Sequence, residues 1–175
     1  KKDSLEKLLV NSSGEDKIDL IFEIGLSEQR IDYKSDQWLN TINKAIEASE
    51  KTSYDEGMAR GFNILGKLYS GKKETFEQGK EYLKNALTIA QSNQLWEIEA
   101  ECHKTISSNT VRYQRDDTLW FAHMDSAIYI YKAQNDSLKL YATHFEYAMK
   151  YGFSKRNWVK AILIAKEAKQ YINMP

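Results

Sequence analysis

Proline is missing from this chain until Pro175, its last residue. Nothing upstream removes a backbone donor or forces a kink, so long uninterrupted helices are permitted. Cysteine is almost as scarce. Cys102 stands alone, which excludes an intrachain disulfide and any multi-cysteine zinc site. In a helical pattern a lone cysteine reads as a small buried apolar residue. Net charge is missing too, with 25 Lys and Arg against 25 Asp and Glu. The chain as a whole has no electrostatic reason to seek nucleic acid or anionic membrane. No apolar run approaches the roughly 18 residues of a membrane span. The start, KKDSLEKLLVNSSGED, has two lysines but no apolar core behind them, so it does not read as a signal peptide. Strictly alternating β-branched runs are also absent.

What is present is helical spacing. Apolar and small residues recur three and four apart: Ile18, Ile21, Phe22, Gly25; then Leu83, Ala86, Leu87, Ala90; then Ala161, Ile164, Ala165, Ala168. The class is all-α. Hydrophobic residues make up 42% and charged residues 29%, enough to bury a core beneath a solvated surface.

The stretch GKLYSGKK (66–73) matches most of a phosphate-binding loop. It lacks the Ser or Thr after the first lysine of its GKK that would hold magnesium, and a helical pattern rather than a strand precedes it. A 41-residue period explains it better. Ala45, Ala86, Ala127 and Ala168 are each separated by 41 residues, and so are the small residues Gly25, Gly66, Ser107 and Ala148. Ile24, Leu65, Ile106 and Tyr147 keep the same period, as do Ile42, Leu83, Met124 and Ala165. Gly66 thus belongs to a column of small side chains that let a neighbouring helix approach. Gly71 is expected to end that helix in a left-handed conformation.

Each period holds two helices. In the second they are expected over about 54–70 and 76–92, opened by capping boxes Ser53–Glu56 and Thr75–Gln78. Asp116 and Asn157 share the Thr75 column and are good N-caps, while Ser35 or Asp36 serves in the first period. The repeats run over about 15–53, 54–94, 95–135 and 136–175, after a partial or capping helix within 1–14.

The second period carries Phe62, Leu65-Gly66, Tyr69, Gly79, Leu83 and Ala86; the fourth carries Tyr147-Ala148, Tyr151, Ala161, Ala165 and Ala168. In these residues the chain resembles the tetratricopeptide repeat family. Glu28 and Thr110 stand where the family has tyrosine, Trp38 and Trp120 where it has a small residue, and 41 exceeds its usual period. The resemblance implies antiparallel helix pairs stacked as a right-handed α-solenoid, one repeat domain from 1 to 175. WVKAILIAKEA is too apolar for a terminal cap. It implies a fragment of a longer protein with Pro175 stopping the helix, or else a self-association surface.

Little in the sequence points to catalysis. His103 and His144 occupy equivalent positions. They read as fillers of the aromatic core position that Ile21 and Phe62 hold elsewhere, rather than as metal ligands with Cys102. His123 has no evident partner. Glu97, Glu99, Glu101, Asp116 and Asp117 read as solvated faces or helix N-terminal charges. Trp38 and Trp120 share a column and read as packing residues. The basic residues Lys72, Lys73, Arg112 and Arg115 are too dispersed for nucleic acid. No catalytic residue, cofactor or metal ligand is expected.

The family resemblance implies a concave groove lined by the first helix of each repeat, which would hold a peptide. Carried over by position, its rows are Phe22, Asn63, Lys104, Phe145; Leu26, Lys67, Ser108, Met149; and Asp19, Arg60, Glu101, Ala142. The centre is partly basic and both ends are apolar, so the expected ligand is an extended segment with an acidic centre and apolar flanks. Phe22 and Leu26 stand where carboxylate-clamping members have Lys and Asn. The expected function is therefore a non-catalytic protein-interaction or scaffold module that neither binds nucleic acid nor inserts into a membrane. DSLEKLLVNSSGEDKIDLIFEIGLS resembles the start of repeat arrays in bacterial sensor kinases and regulators. That implies a signalling protein with this region outside the cytoplasm; the alternative is a free-standing cytoplasmic adaptor or assembly factor.

Overall fold

A computed structural model describes residues 2–114 and 116–172. Arg115 and Pro175, one of the dispersed basic residues and the expected helix stop, lie outside the described residues. Among those described there is no strand. The helices are α1 (Lys2–Val10), α2 (Gly14–Ile31), α3 (Gln37–Thr52), α4 (Asp55–Ser70), α5 (Phe76–Ser92), α6 (Trp96–Asn109), α7 (Asp117–Ala133), α8 (Ser137–Lys155) and α9 (Trp158–Ile172). A short 3-10 turn, Lys73–Thr75, precedes α5, and a π-helical turn, Thr110–Gln114, follows α6. None of the helices is long and apolar enough to cross a membrane.

The chain forms two compact units, Lys1–Leu95 and Trp96–Pro175. In the first, α1 packs on α2, α2 on α3, α3 on α4 and α4 on α5. In the second, α6 packs on α7, α7 on α8 and α8 on α9. The first unit's core gathers Ile18, Phe22, Trp38, Ile42, Ala45, Ile46 and Leu65. The second has a smaller cluster of Ala100, Ala127, Tyr131 and Leu140.

The small-residue columns lie where the helices meet. Ala45, Ala86, Ala127 and Ala168 are fully buried, and Gly25, Gly66, Ser107 and Ala148 are buried as well. A Cβ on Gly25 would sit 2.8 Å from Ile42 Cδ1, and one on Gly66 would sit 2.6 Å from Leu83 Cγ. Trp38, Gly79, Trp120 and Ala161, again 41 apart, are buried too.

The turns between repeats show the period a second time. Ser53, Gln94 and Asn135 are 41 apart, and each has a positive φ of 55–56°. After each of them a backbone N–H reaches back five residues: Tyr54 to Ser49 (2.9 Å), Leu95 to Ala90 (2.8 Å) and Asp136 to Tyr131 (3.0 Å). This is the Schellman closure, which satisfies a carbonyl left over at a helix end. Ser49, Ala90 and Tyr131 are all fully buried. A left-handed residue plus a buried anchor thus ends α3, α5 and α7 in the same way.

Several expected caps need correction. Ser53 closes α3 and does not cap α4, whose N-cap is Tyr54 without a side-chain bond. Gly71 is right-handed, at φ −72°. Thr75 makes no capping bond; its Oγ1 donates to the Tyr69 carbonyl at 2.6 Å. That bond ties the start of α5 to the end of α4, which is why the hydroxyl is not free to cap. The caps at Asp116 and Asn157 are as expected, accepting from Leu119 N and Lys160 N, each at 3.0 Å.

Candidate functional site

The groove positions divide between the two units. In the first unit Phe22 is 0% exposed, inside the core between α2 and α3. It offers nothing to a peptide, so its place in the groove row is corrected: α3 and α4 bury it. Arg60 lies over its ring, 5.3 Å from the centroid. Asn63 is buried as well, and its Oδ1 has no hydrogen-bond partner. Leu26 is half-buried and Lys67 exposed. Arg60 pairs with Glu23 and lies 3.6 Å from Asp19. Tyr54 donates its hydroxyl to the same Asp19, at 3.1 Å to Oδ2. The guanidinium is therefore neutralised from within, which weakens the expected basic centre.

The second unit holds the other four positions. Lys104 is half-buried and Ser108 exposed, with its Oγ donating to the Lys104 carbonyl at 3.0 Å. Phe145 is 48% exposed and Met149 41%. Two residues that sequence reasoning passed over join them on α8: Leu138 at 77% and Phe153 at 68%. Positions 138, 145, 149 and 153 fall on one helical face. The signal was in the spacing, but Leu138 and Phe153 lay outside the carried-over rows. The rest of α8 is engaged: Leu140 and Thr143 on the opposite side and Ala148 and Gly152 along one flank are buried. On α9, Val159, Ile162 and Leu163 are exposed.

The departures from the family pattern also acquire partners. Glu28 is almost fully buried and accepts from Lys2 Nζ (2.8 Å), Gln37 Nε2 (2.8 Å) and Thr41 Oγ1 (2.7 Å). Burial pushes its carboxyl up, but the bonds from Lys2, Thr41 and Gln37 outweigh this and leave it below the ordinary value. The carboxylate pins α1 and α3 to α2. Also at the N-terminal end of α3, a cleft of about 410 Å³ opens between Tyr33, Lys34, Trp38, Leu68, Tyr69 and Lys72. Its walls are mostly apolar. Neither lysine has an ion-pair partner among the described residues.

His103 and His144 do not meet. His103 on α6 instead contacts His123 on α7, with Nδ1 atoms 2.9 Å apart, so the residue for which sequence reasoning found no partner has one. Their sequence separation of 20 belongs to no repeat column, which is why the periodicity hid the pair. His144 stacks on Tyr171, with centroids 5.2 Å apart, and its Nδ1 is buried without a hydrogen bond. Burial, then the charge of Asp125, pushes the Tyr147 phenol up to about 12. Cys102 is fully buried. Among the described residues, no three His, Cys, Asp or Glu converge as metal ligands. Compared with protein-family models, with curated proteins and with solved structures, the chain matches none.

Proposed function

We propose that this chain is a non-catalytic protein-interaction module of the tetratricopeptide type, and that its second unit receives a partner segment along α8. One observation carries the reading. Leu138, Phe145, Met149 and Phe153 form an apolar stripe on a helix whose other face is already packed. A contiguous apolar face left in water is characteristic of an interaction surface. The repeat pattern supports it independently, because two of the four residues were placed in the groove by position alone. The partner segment carries apolar side chains at matching spacing, as helix-in-groove ligands do, and acidic residues for Lys104. A role within a signalling protein outside the cytoplasm is the setting we favour for such a module.

The test is capture of partners by the full chain from a lysate of its source, compared with a Phe145→Asp/Met149→Asp variant, followed by titration of the captured protein. Binding that weakens at least tenfold in the variant, while urea unfolding moves by less than about 0.5 kcal/mol, supports the reading. Unchanged affinity removes α8 as the docking face.

A further inference from the structure

We infer that His103 and His123 form a proton-sharing latch between α6 and α7, which acid releases. The proposal does not depend on what α8 binds.

The two Nδ1 atoms are 2.9 Å apart and the ring centres 5.2 Å. An imidazole nitrogen lies roughly 1.15 Å from its ring centre. Two rings meeting head-on through nitrogens 2.9 Å apart therefore have centres about 5.2 Å apart, the separation observed. The lone-pair axis of one ring points at the nitrogen of the other, which is hydrogen-bond geometry. Two ligands of one metal ion aim at a point off that line, which at this short nitrogen separation would bring the ring centres closer.

Both rings are half-buried, and they join different helices of one packed pair. At neutral pH one ring carries its proton on Nδ1 and donates; the other carries it on Nε2 and accepts. The first added proton goes to the donor's free Nε2. The bond survives as a charge-assisted imidazolium–imidazole contact. The second proton has only the accepting Nδ1 left. Adding it sets N–H against N–H and two cations against each other, so the bond is lost. Such a pair titrates in two macroscopic steps.

Among the described residues, no ion pair to either ring offsets the second charge. Burial lowers the pKa of both rings, and His103 lowers that of His123 further. The carboxylates on the packed elements act elsewhere. Glu101 accepts from Tyr131, Asp117 pairs with Lys150, Asp125 interacts with Tyr147 and His144, and Glu97 and Asp136 pair with Lys139. Because the folded values lie below the ordinary 6.5, the latch's contribution is complete above 6.5. It is lost as pH falls through the second, lower step of the pair.

The test uses the full chain. Imidazole nitrogen NMR follows both rings from pH 8 to pH 4, and amide exchange gives protection factors for α6 and α7. Two separated steps are expected, the second well below 6.5, with α6 and α7 protection falling at least about tenfold across it, the equivalent of one pKa unit. His123→Asn keeps an amide near the Nδ1 position but cannot be charged, and should reduce that fall to about twofold or less. If it does not fold, His103→Asn is read in the same way. A single step near 6.5 for both rings, or an undiminished fall in the Asn variant, overturns the proposal.

Discussion

At one position of the 41-residue repeat α5 carries Gly79 and α7 carries Trp120, and both are buried. The difference reflects how closely each helix approaches its partner. In the α4–α5 pair a Cβ on Gly79 would lie 2.5 Å from the Ser70 Cα, and one on Gly66 would meet Leu83. Backbone approaches backbone, and only glycine fits. In α6–α7 the Gly66 position is Ser107, which brings its own Cβ, and the Gly79 position is filled by an indole. Trp120 lies edge-on to Phe121 at 5.0 Å and 5.8 Å from Tyr147 of α8. One pair is closed by removing atoms, the other by inserting an aromatic wedge. The polar groups follow suit. The wedged pair carries the His103–His123 contact and ends in a π-helical turn, whereas the glycine pair carries no such contact among its described residues. A periodic sequence thus supplies equivalent positions without equivalent packing.

The strongest way to break the comparison is to remove the wedge. Trp120→Ala should cost about 3–5 kcal/mol in urea unfolding of the full chain, since nothing nearby can refill the volume. A loss below 1 kcal/mol would mean that α6–α7 closes as α4–α5 does. Next in size is Gly79→Ala. Its added methyl meets backbone that cannot rotate away, so the cost should fall at the upper end of about 1–3 kcal/mol. Gly66→Ala serves as its control and should cost less, because Leu83 can change rotamer. Equal costs would show that the side chain, and not the backbone, limits the approach. The smallest effect belongs to Glu28→Gln. α1 has no buried residue, so losing the Lys2 ion pair should abolish amide protection in α1 and leave the main unfolding transition in place. Acid should do the same to the unaltered chain. The folded pKa of Glu28 lies below 4.5, so its contribution is present above 4.5 and is lost as pH falls through the folded value. Protection of α1 that persists in the variant would show that apolar contact alone docks that helix.

The helices of the second repeat were legible almost to the residue, because period and composition agree there. The candidate surface was legible only in part. Phe145 and Met149 were reached by counting, but the same counting put Phe22 on the surface. A position defined modulo 41 does not record how large its neighbours are. Phe22 turns into the core because Trp38, Ile42 and Ile46 enclose it, whereas Phe145 has no such enclosure. Arg60 counted towards a partly basic centre, because a row of equivalent positions does not show that Asp19 and Glu23 of α2 engage its guanidinium.

The helical class, the 41-residue unit and the small columns where helices meet can be read from the residues alone. These follow from side-chain size and spacing along one chain, which local geometry converts directly into faces. Which groups share a contact emerges with the packing of the helices: glycine against backbone in one pair, tryptophan as a wedge in the other, Glu28 on Lys2, His103 on His123. Those depend on the distance between helix surfaces. That distance is set jointly by every side chain packed between them, and a close-packed interior fixes it to fractions of an ångström.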